Sequence, residues 1–149
     1  MDDISQTIAL GRQGFFCSQI LLLQALALQG KENPDLVRAI QGLAGGIGFT
    51  GGTCGGLSGG ACLLGLYAGK GSAEEDEDLR LMLMIGVLVA WFKERFGAQY
   101  GGIDCATILG DKVGHQLTQC PPIIEETLQK CKELLVENGF DLAGSDFDA

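Results

Sequence analysis

The sequence predicts an all-α protein, a compact bundle of about five to six helices with a glycine-rich loop and a buried central helix. Three observations lead there. Long apolar runs recur between glycine and proline punctuation, at lengths that suit helices. No stretch alternates apolar and polar residues as a half-buried strand does. A hydrophobic fraction of 46% over 149 residues supplies one core without disulfide staples. Residues 1–140 are expected to form a single helical domain, and 141–149 an acidic, loosely held tail containing Asp141, Asp146 and Asp148.

The elements follow in order. Ile4–Leu10 suits a short first helix. After the break at Gly14-Phe15-Phe16-Cys17, Ser18 opens an apolar helix reaching about Gln29, and Gly30 ends it. Asn33-Pro34 is an N-cap followed by proline at the first helical position, starting a helix that runs to about Ala44. Residues 45–54 read as a glycine-rich loop, with 45–53 a candidate mobile lid over the site. A helix spans Gly55–Ala68, with Gly69 closing it. Its glycines at 55/59, 56/60 and 65/69 lie four apart, where small residues admit a neighbouring backbone. Each also weakens the helix by up to ~1 kcal/mol against alanine, so tertiary packing or a ligand must hold it.

A long helix is predicted from about Glu75 to Phe96, its acids in the first turn where the dipole favours them. Leu81–Phe92 is apolar all round, the pattern of a buried central helix. Asp104 caps a short helix over Cys105–Leu109. Residues 110–119 read as a loop with the lone His115 on its surface. Pro121-Pro122 opens the last helix, and Asn138-Gly139 ends it.

Charge excludes several partners. The formal net charge is −9, with a block of acids at Glu74–Asp78 and no basic stripe, so nucleic acid and anionic membrane are not expected. The acidic runs read as a solvated loop and tail, or as a docking surface for a redox partner with a basic face. No charge falls between Ala39 and Gly69, yet glycine interrupts that stretch too often for a membrane-spanning helix. The opening MDDISQTIAL lacks the features of an export signal, which points to a cytoplasmic, reducing setting. The apolar surplus is compatible with a homodimer.

In that setting, six cysteines are more readily ligands or redox thiols than structural bridges. No two are closer than eight residues, so no CxxC pair or zinc-ribbon spacing exists, and a site must be assembled by the fold. Cys17, Cys54, Cys105 and Cys120 all fall at predicted helix N-termini, where unpaired N–H groups and positive partial charge favour the thiolate. Cys131 keeps step with Ile124, Leu128 and Leu135 and reads as core. Cys62, two turns beyond Cys54, reads as core, a spare ligand or a resolving thiol.

Gly14-Phe15-Phe16-Cys17-Ser18-Gln19 resembles the GFxCSQ opening of the redox-active C_GCAxxG_C_C family. Cys54-Gly55-Gly56-Leu57-Ser58-Gly59 resembles its central CGAxxG motif, and Cys105 and Cys120 match its third and fourth cysteines. The resemblance covers roughly residues 14–130. It departs at Gly56, where the pattern has alanine, and Cys62 and Cys131 are additions. It implies a helical fold and a redox role. A similar domain stands beside the haem-binding part of split-Soret cytochromes, for which an iron–sulfur centre has been proposed. This chain has no CxxCH, which excludes covalent c-type haem.

Two other motifs fail on context. Gly46–Gly51 matches GxGxxG, but a helix precedes it and no acid follows at the required distance. GLYAGKGS, from Gly65, has the wrong spacing for a phosphate loop. One histidine without a supporting motif makes no hydrolase triad.

Three functions stand open. The first is electron transfer or redox sensing through a metal centre, a [2Fe–2S] cluster or alternatively zinc. Its ligands would be Cys17, Cys54, Cys105 and Cys120, with Gly55, Gly56 and Gly59 letting backbone approach. The second is a metal-free thiol–disulfide oxidoreductase in which Cys54 attacks and Cys17, Cys105 or Cys120 resolves. The third is a non-catalytic binding or assembly module with incidental cysteines.

Overall fold

The computed structural model describes residues 3–110 and 115–144. Seven helices are described: α1 (Asp3–Arg12), α2 (Cys17–Leu28), α3 (Pro34–Ile40), α4 (Gly55–Ala68), α5 (Arg80–Phe92), α6 (Cys105–Leu109) and α7 (His115–Glu137). A 3-10 turn over Gln41–Leu43 extends α3, and a π turn over Lys93–Gly97 carries α5 on to Tyr100. No strand occurs among the described residues; one antiparallel bridge joins Thr53 to Asp104. No helix among them is long and apolar enough to cross a membrane.

The central helix is α4, not the Leu81–Phe92 segment that the sequence suggested. It packs against α2, α5 and α7 together. Glycine makes this possible on two faces. A Cβ on Gly59 would stand 2.8 Å from the Ser18 Cα of α2, and one on Gly60 would stand 2.9 Å from the Thr127 Cγ2 of α7. The third glycine pair does not work this way, since nothing lies near a Cβ at Gly65. In α5 only Met84, Leu88 and Phe92 are buried, and the opposite face is exposed. An all-round apolar sequence therefore has cover on one side only.

Two helix starts also differ from expectation. α5 begins at Arg80, so the acidic block precedes it. Glu75 instead closes a turn, accepting from the Gly71 N–H at 2.9 Å and Ser72 Oγ at 3.3 Å, while Asp78 pairs with Arg80 at 2.6 Å. α7 begins at His115 and takes Pro121 and Pro122 inside its second turn. The turn before the prolines is held from outside, by Gln119 Nε2 donating to the Ile108 carbonyl of α6 at 2.7 Å. The expected 110–119 loop thus gives way to helix from His115 onward. The His115 side chain, residues 111–114, and Asp146 and Asp148 of the expected tail lie outside the described residues.

Of the two caps the sequence implies, one forms. Asn33 Oδ1 accepts from the Leu36 N–H at 3.1 Å and caps α3. Asp104 occupies the N-cap position of α6, but its side chain makes no capping bond.

Candidate functional site

Three of the four singled-out cysteines stand where helices begin. Cys17 is the first residue of α2, Cys54 is the N-cap of α4, and Cys105 is the first residue of α6. Cys120 does not; it lies inside α7, one residue before the prolines, because that helix starts earlier than expected.

The backbone draws Cys54 and Cys105 together. Residues 51–54 pair with 103–106: the Cys54 N–H donates to the Ile103 carbonyl at 3.0 Å, and the Cys105 N–H to the Gly52 carbonyl at 2.6 Å. Cys17 is set by the two residues after it. Ser18 Oγ, fully buried, donates to the Ile40 carbonyl at 2.9 Å, and Gln19 Nε2 donates to the Val37 carbonyl at 3.3 Å. Gln19 Oε1 turns back to accept from the Phe16 N–H at 3.1 Å. The Cys-Ser-Gln run thereby ties the first turn of α2 to the end of α3 and aims Cys17 at the start of α4. Its sulfur sits so close to Gly55 that a Cβ there would be 2.6 Å away.

Cys17, Cys54, Cys105 and Cys120 line one small cavity of about 20 Å³. Gly55 and Gly56 form its floor, and Ile108, Leu109, Ile123 and Ile124 complete an apolar wall. The volume admits about one water-sized atom. Among the described residues no three His, Cys, Asp or Glu side chains are gathered closely enough to hold one ion. Gly59 lies one turn away, against Ser18, and serves the α2–α4 contact. Cys62 is half-buried outside the cavity. Cys131 is fully buried in the core, its Sγ 3.6 Å from the Gly60 carbonyl.

Burial governs the thiols more strongly than helix N-termini do. It pushes Cys54 up to about 11, with Cys17 and Cys105 adding to the rise; the Gly56 and Leu57 N–H groups work the other way. Burial likewise raises Cys120 to about 12, helped by Cys17, Cys54 and Cys105. Cys105 is raised by burial and then by Cys17. Cys17 is raised by burial against N–H groups of Gly45, Ser18 and its own residue. Cys54, Cys105 and Cys120 thus each rise partly because of Cys17. The N–H groups at the starts of α2 and α4 act in the expected direction on Cys17 and Cys54, but burial against an apolar wall outweighs them.

A model of the family "Putative redox-active protein (C_GCAxxG_C_C)" matches residues 15–134. The chain belongs to this family. No curated protein and no solved structure matches it significantly. Within the C_GCAxxG_C_C pattern, the structure gives the non-cysteine positions physical roles. The first glycine after the second cysteine, Gly55, makes room for the Cys17 sulfur. At the alanine position, Gly56 has nearly enough space for a methyl group: a Cβ would lie 3.3 Å from Ile123 Cγ2 and 3.5 Å from Cys54 Sγ. The last glycine, Gly59, lets α2 approach.

Sequence reasoning missed three contributors. The Gly45 N–H faces Cys17 from the 45–49 turn, in which all five residues have positive φ, Ile47 and Phe49 included. Glycine at 45 and 46 was the only signal for it. Phe49 stacks edge-on against Phe16, the residue before Cys17, ring centroids 5.1 Å apart. Tyr100 is raised chiefly by burial, against Arg95, with Cys120, Glu126 and Cys54 adding to the rise.

Proposed function

We propose that this protein is an electron-transfer or redox-sensing protein whose working centre is a metal site on Cys17, Cys54, Cys105 and Cys120, with a [2Fe–2S] cluster as the metal group. One observation carries the reading: four thiols far apart in sequence line a single cavity whose other walls are apolar. The donor chemistry fits. Soft thiolates select iron–sulfur or zinc, and an apolar wall with few N–H donors is the kind of surrounding that sets a cluster's potential. Among the described residues no three candidate ligands are gathered for one ion, so the sulfurs must shift to hold zinc or a cluster alike. The cavity between the sulfurs is about 20 Å³, so its walls would have to open to take in a cluster. Bound metal supplies the electron-accepting chemistry and holds the thiols deprotonated. The chain's own residues bring the sulfurs to one cavity, set apolar side chains around them and direct N–H groups of Gly45, Gly56 and Leu57 at two of them.

The metal-free thiol–disulfide reading draws on the same convergence but meets the raised thiols. A nucleophilic cysteine needs thiolate near neutral pH, and Cys54 at about 11 holds very little. A cytoplasmic setting and a partner with a basic face belong to the same proposal, on the acid-rich sequence and its cysteine usage.

The test is iron, zinc and acid-labile sulfide per chain, measured in the native protein and six single Cys→Ser variants prepared without oxygen. Replacing Cys17, Cys54, Cys105 or Cys120 should at least halve the bound metal, while Cys62→Ser and Cys131→Ser should leave it unchanged. Equal metal content in all six variants would remove the four-cysteine site.

A further inference from the structure

The exposed face of α5 is an unpartnered apolar surface of regular form. Leu79, Met82, Leu83, Gly86, Val87 and Ala90 follow the i, i+3, i+4, i+7, i+8, i+11 spacing of one helix face, and all six are exposed. Leu79 is 73% exposed, Met82 62% and Leu83 70%. Scattered exposed apolar residues are ordinary, whereas a contiguous stripe of them marks a contact surface.

The stripe is uneven, and its unevenness identifies the occupant. The N-terminal half carries the bulky Leu79, Met82 and Leu83. The C-terminal half carries Gly86 and Ala90 with the smaller Val87, and a Cβ on Gly86 would meet nothing. Charge is uneven in the same sense. Exposed Glu74, Glu75, Asp76 and Glu77 precede the bulky end. Lys93, exposed and without an ion pair among the described residues, stands beside Glu94 at the small end; Arg95 is occupied by Glu126 at 2.9 Å. Leu79 and Lys93 are each seven residues from Gly86.

We propose that a second copy of this chain covers this face, α5 against α5, antiparallel about a two-fold axis at Gly86. That arrangement sets each bulky half on the other chain's small half and brings each Lys93 to the partner's acidic block. A parallel pairing would set bulk on bulk and acid on acid. An isologous interface asks for self-complementarity of this kind. The proposal stands apart from the metal reading, because this face uses none of the residues that line the thiol cavity.

The full chain, kept reduced, is examined by light scattering after size exclusion. A mass near 31 kDa, twice 15.7 kDa, is expected. Leu83→Glu should weaken association by roughly tenfold or more while leaving the far-ultraviolet helix signal intact. Mixing Met82→Cys chains with Ala90→Cys chains, then treating with a short thiol cross-linker, should join residue 82 to residue 90 between chains. A 15.7 kDa particle at high concentration, or a dimer indifferent to Leu83→Glu, overturns the interface. Cross-linking of Met82→Cys chains to one another instead overturns the antiparallel arrangement.

Discussion

A single methyl group at Gly55 should damage the site, while the same group at Gly56 should not. In Gly55→Ala the new Cβ would stand 2.6 Å from Cys17 Sγ, 3.0 Å from the Leu43 carbonyl oxygen and 3.3 Å from Ala44 Cα. Two of those neighbours are backbone, so the pressure falls on the sulfur, which must move about 1 Å to reach ordinary contact. Overpacking of this kind costs about 1–3 kcal/mol, and alanine returns at most ~1 kcal/mol of helix propensity, less in a first turn. A net loss of about 1–2 kcal/mol lowers Tm by roughly 2–8 °C in a chain of this size. In Gly56→Ala the nearest atoms are side-chain atoms at 3.3 and 3.5 Å, so propensity and crowding nearly balance. The assay is thermal unfolding of both reduced, metal-free variants beside the parent, with metal content of each after anaerobic purification. Gly55→Ala should lose stability and metal together, and Gly56→Ala should keep both. A Gly55→Ala protein equal to the parent in both measurements would refute the claim that this glycine makes room for the Cys17 sulfur.

Three further expectations concern the same framework. Ser18→Ala leaves the buried Ile40 carbonyl without its 2.9 Å donor and should cost about 1–3 kcal/mol in urea unfolding; a change under 0.5 kcal/mol would mean that the tie between α2 and α3 is idle. The metal-free, reduced protein should lose stability from about pH 9 upward. Folded Cys54, Cys120 and Cys131, at about 11, 12 and 12 against an ordinary 9.0, keep protons that the unfolded chain gives up; the contribution is whole below pH 9 and is lost toward pH 12. The loss should reach the order of several kcal/mol by pH 11, Cys131→Ala should make the fall shallower, and a urea midpoint flat to pH 11 would contradict it. Gly59→Ala pushes a Cβ to 2.8 Å from backbone Ser18 Cα, where no side-chain rotation gives relief, and should destabilise by about 1–3 kcal/mol or more; a thermally neutral variant would show that α2 and α4 are not closely joined there.

What the sequence revealed, and what it hid, follows from the range of the forces involved. The bounds of α4 and the Asn33 cap were legible because glycine, proline and cap chemistry act within a few residues. The glycine spacing in α4 announced close helix approach, and two of its three pairs deliver it. The start of α7 was hidden because Pro121 and Pro122 read locally as a beginning, while the preceding turn is held by Gln119 reaching across to α6. That one long-range contact moved Cys120 from a helix end into a helix interior. The thiol convergence was suggested by motif order, yet the link that joins Cys54 to Cys105 is a backbone bridge of Thr53 to Asp104, which no side-chain pattern signals. The balance that sets the thiol shifts was hidden for a related reason. Helix termini are visible in sequence, whereas the apolar wall of Ile108, Leu109, Ile123 and Ile124 comes together only in the fold.

The central claim is that these four cysteines hold an iron–sulfur cluster, and one spectrum addresses it most directly. The native protein is purified without oxygen, its visible absorption is recorded before and after dithionite, and iron and acid-labile sulfide are counted per chain. The account predicts a coloured protein that dithionite bleaches, with about two irons and two sulfides per chain. A colourless protein, free of iron and sulfide even when made anaerobically with iron supplied, would contradict it and move the function to thiol chemistry.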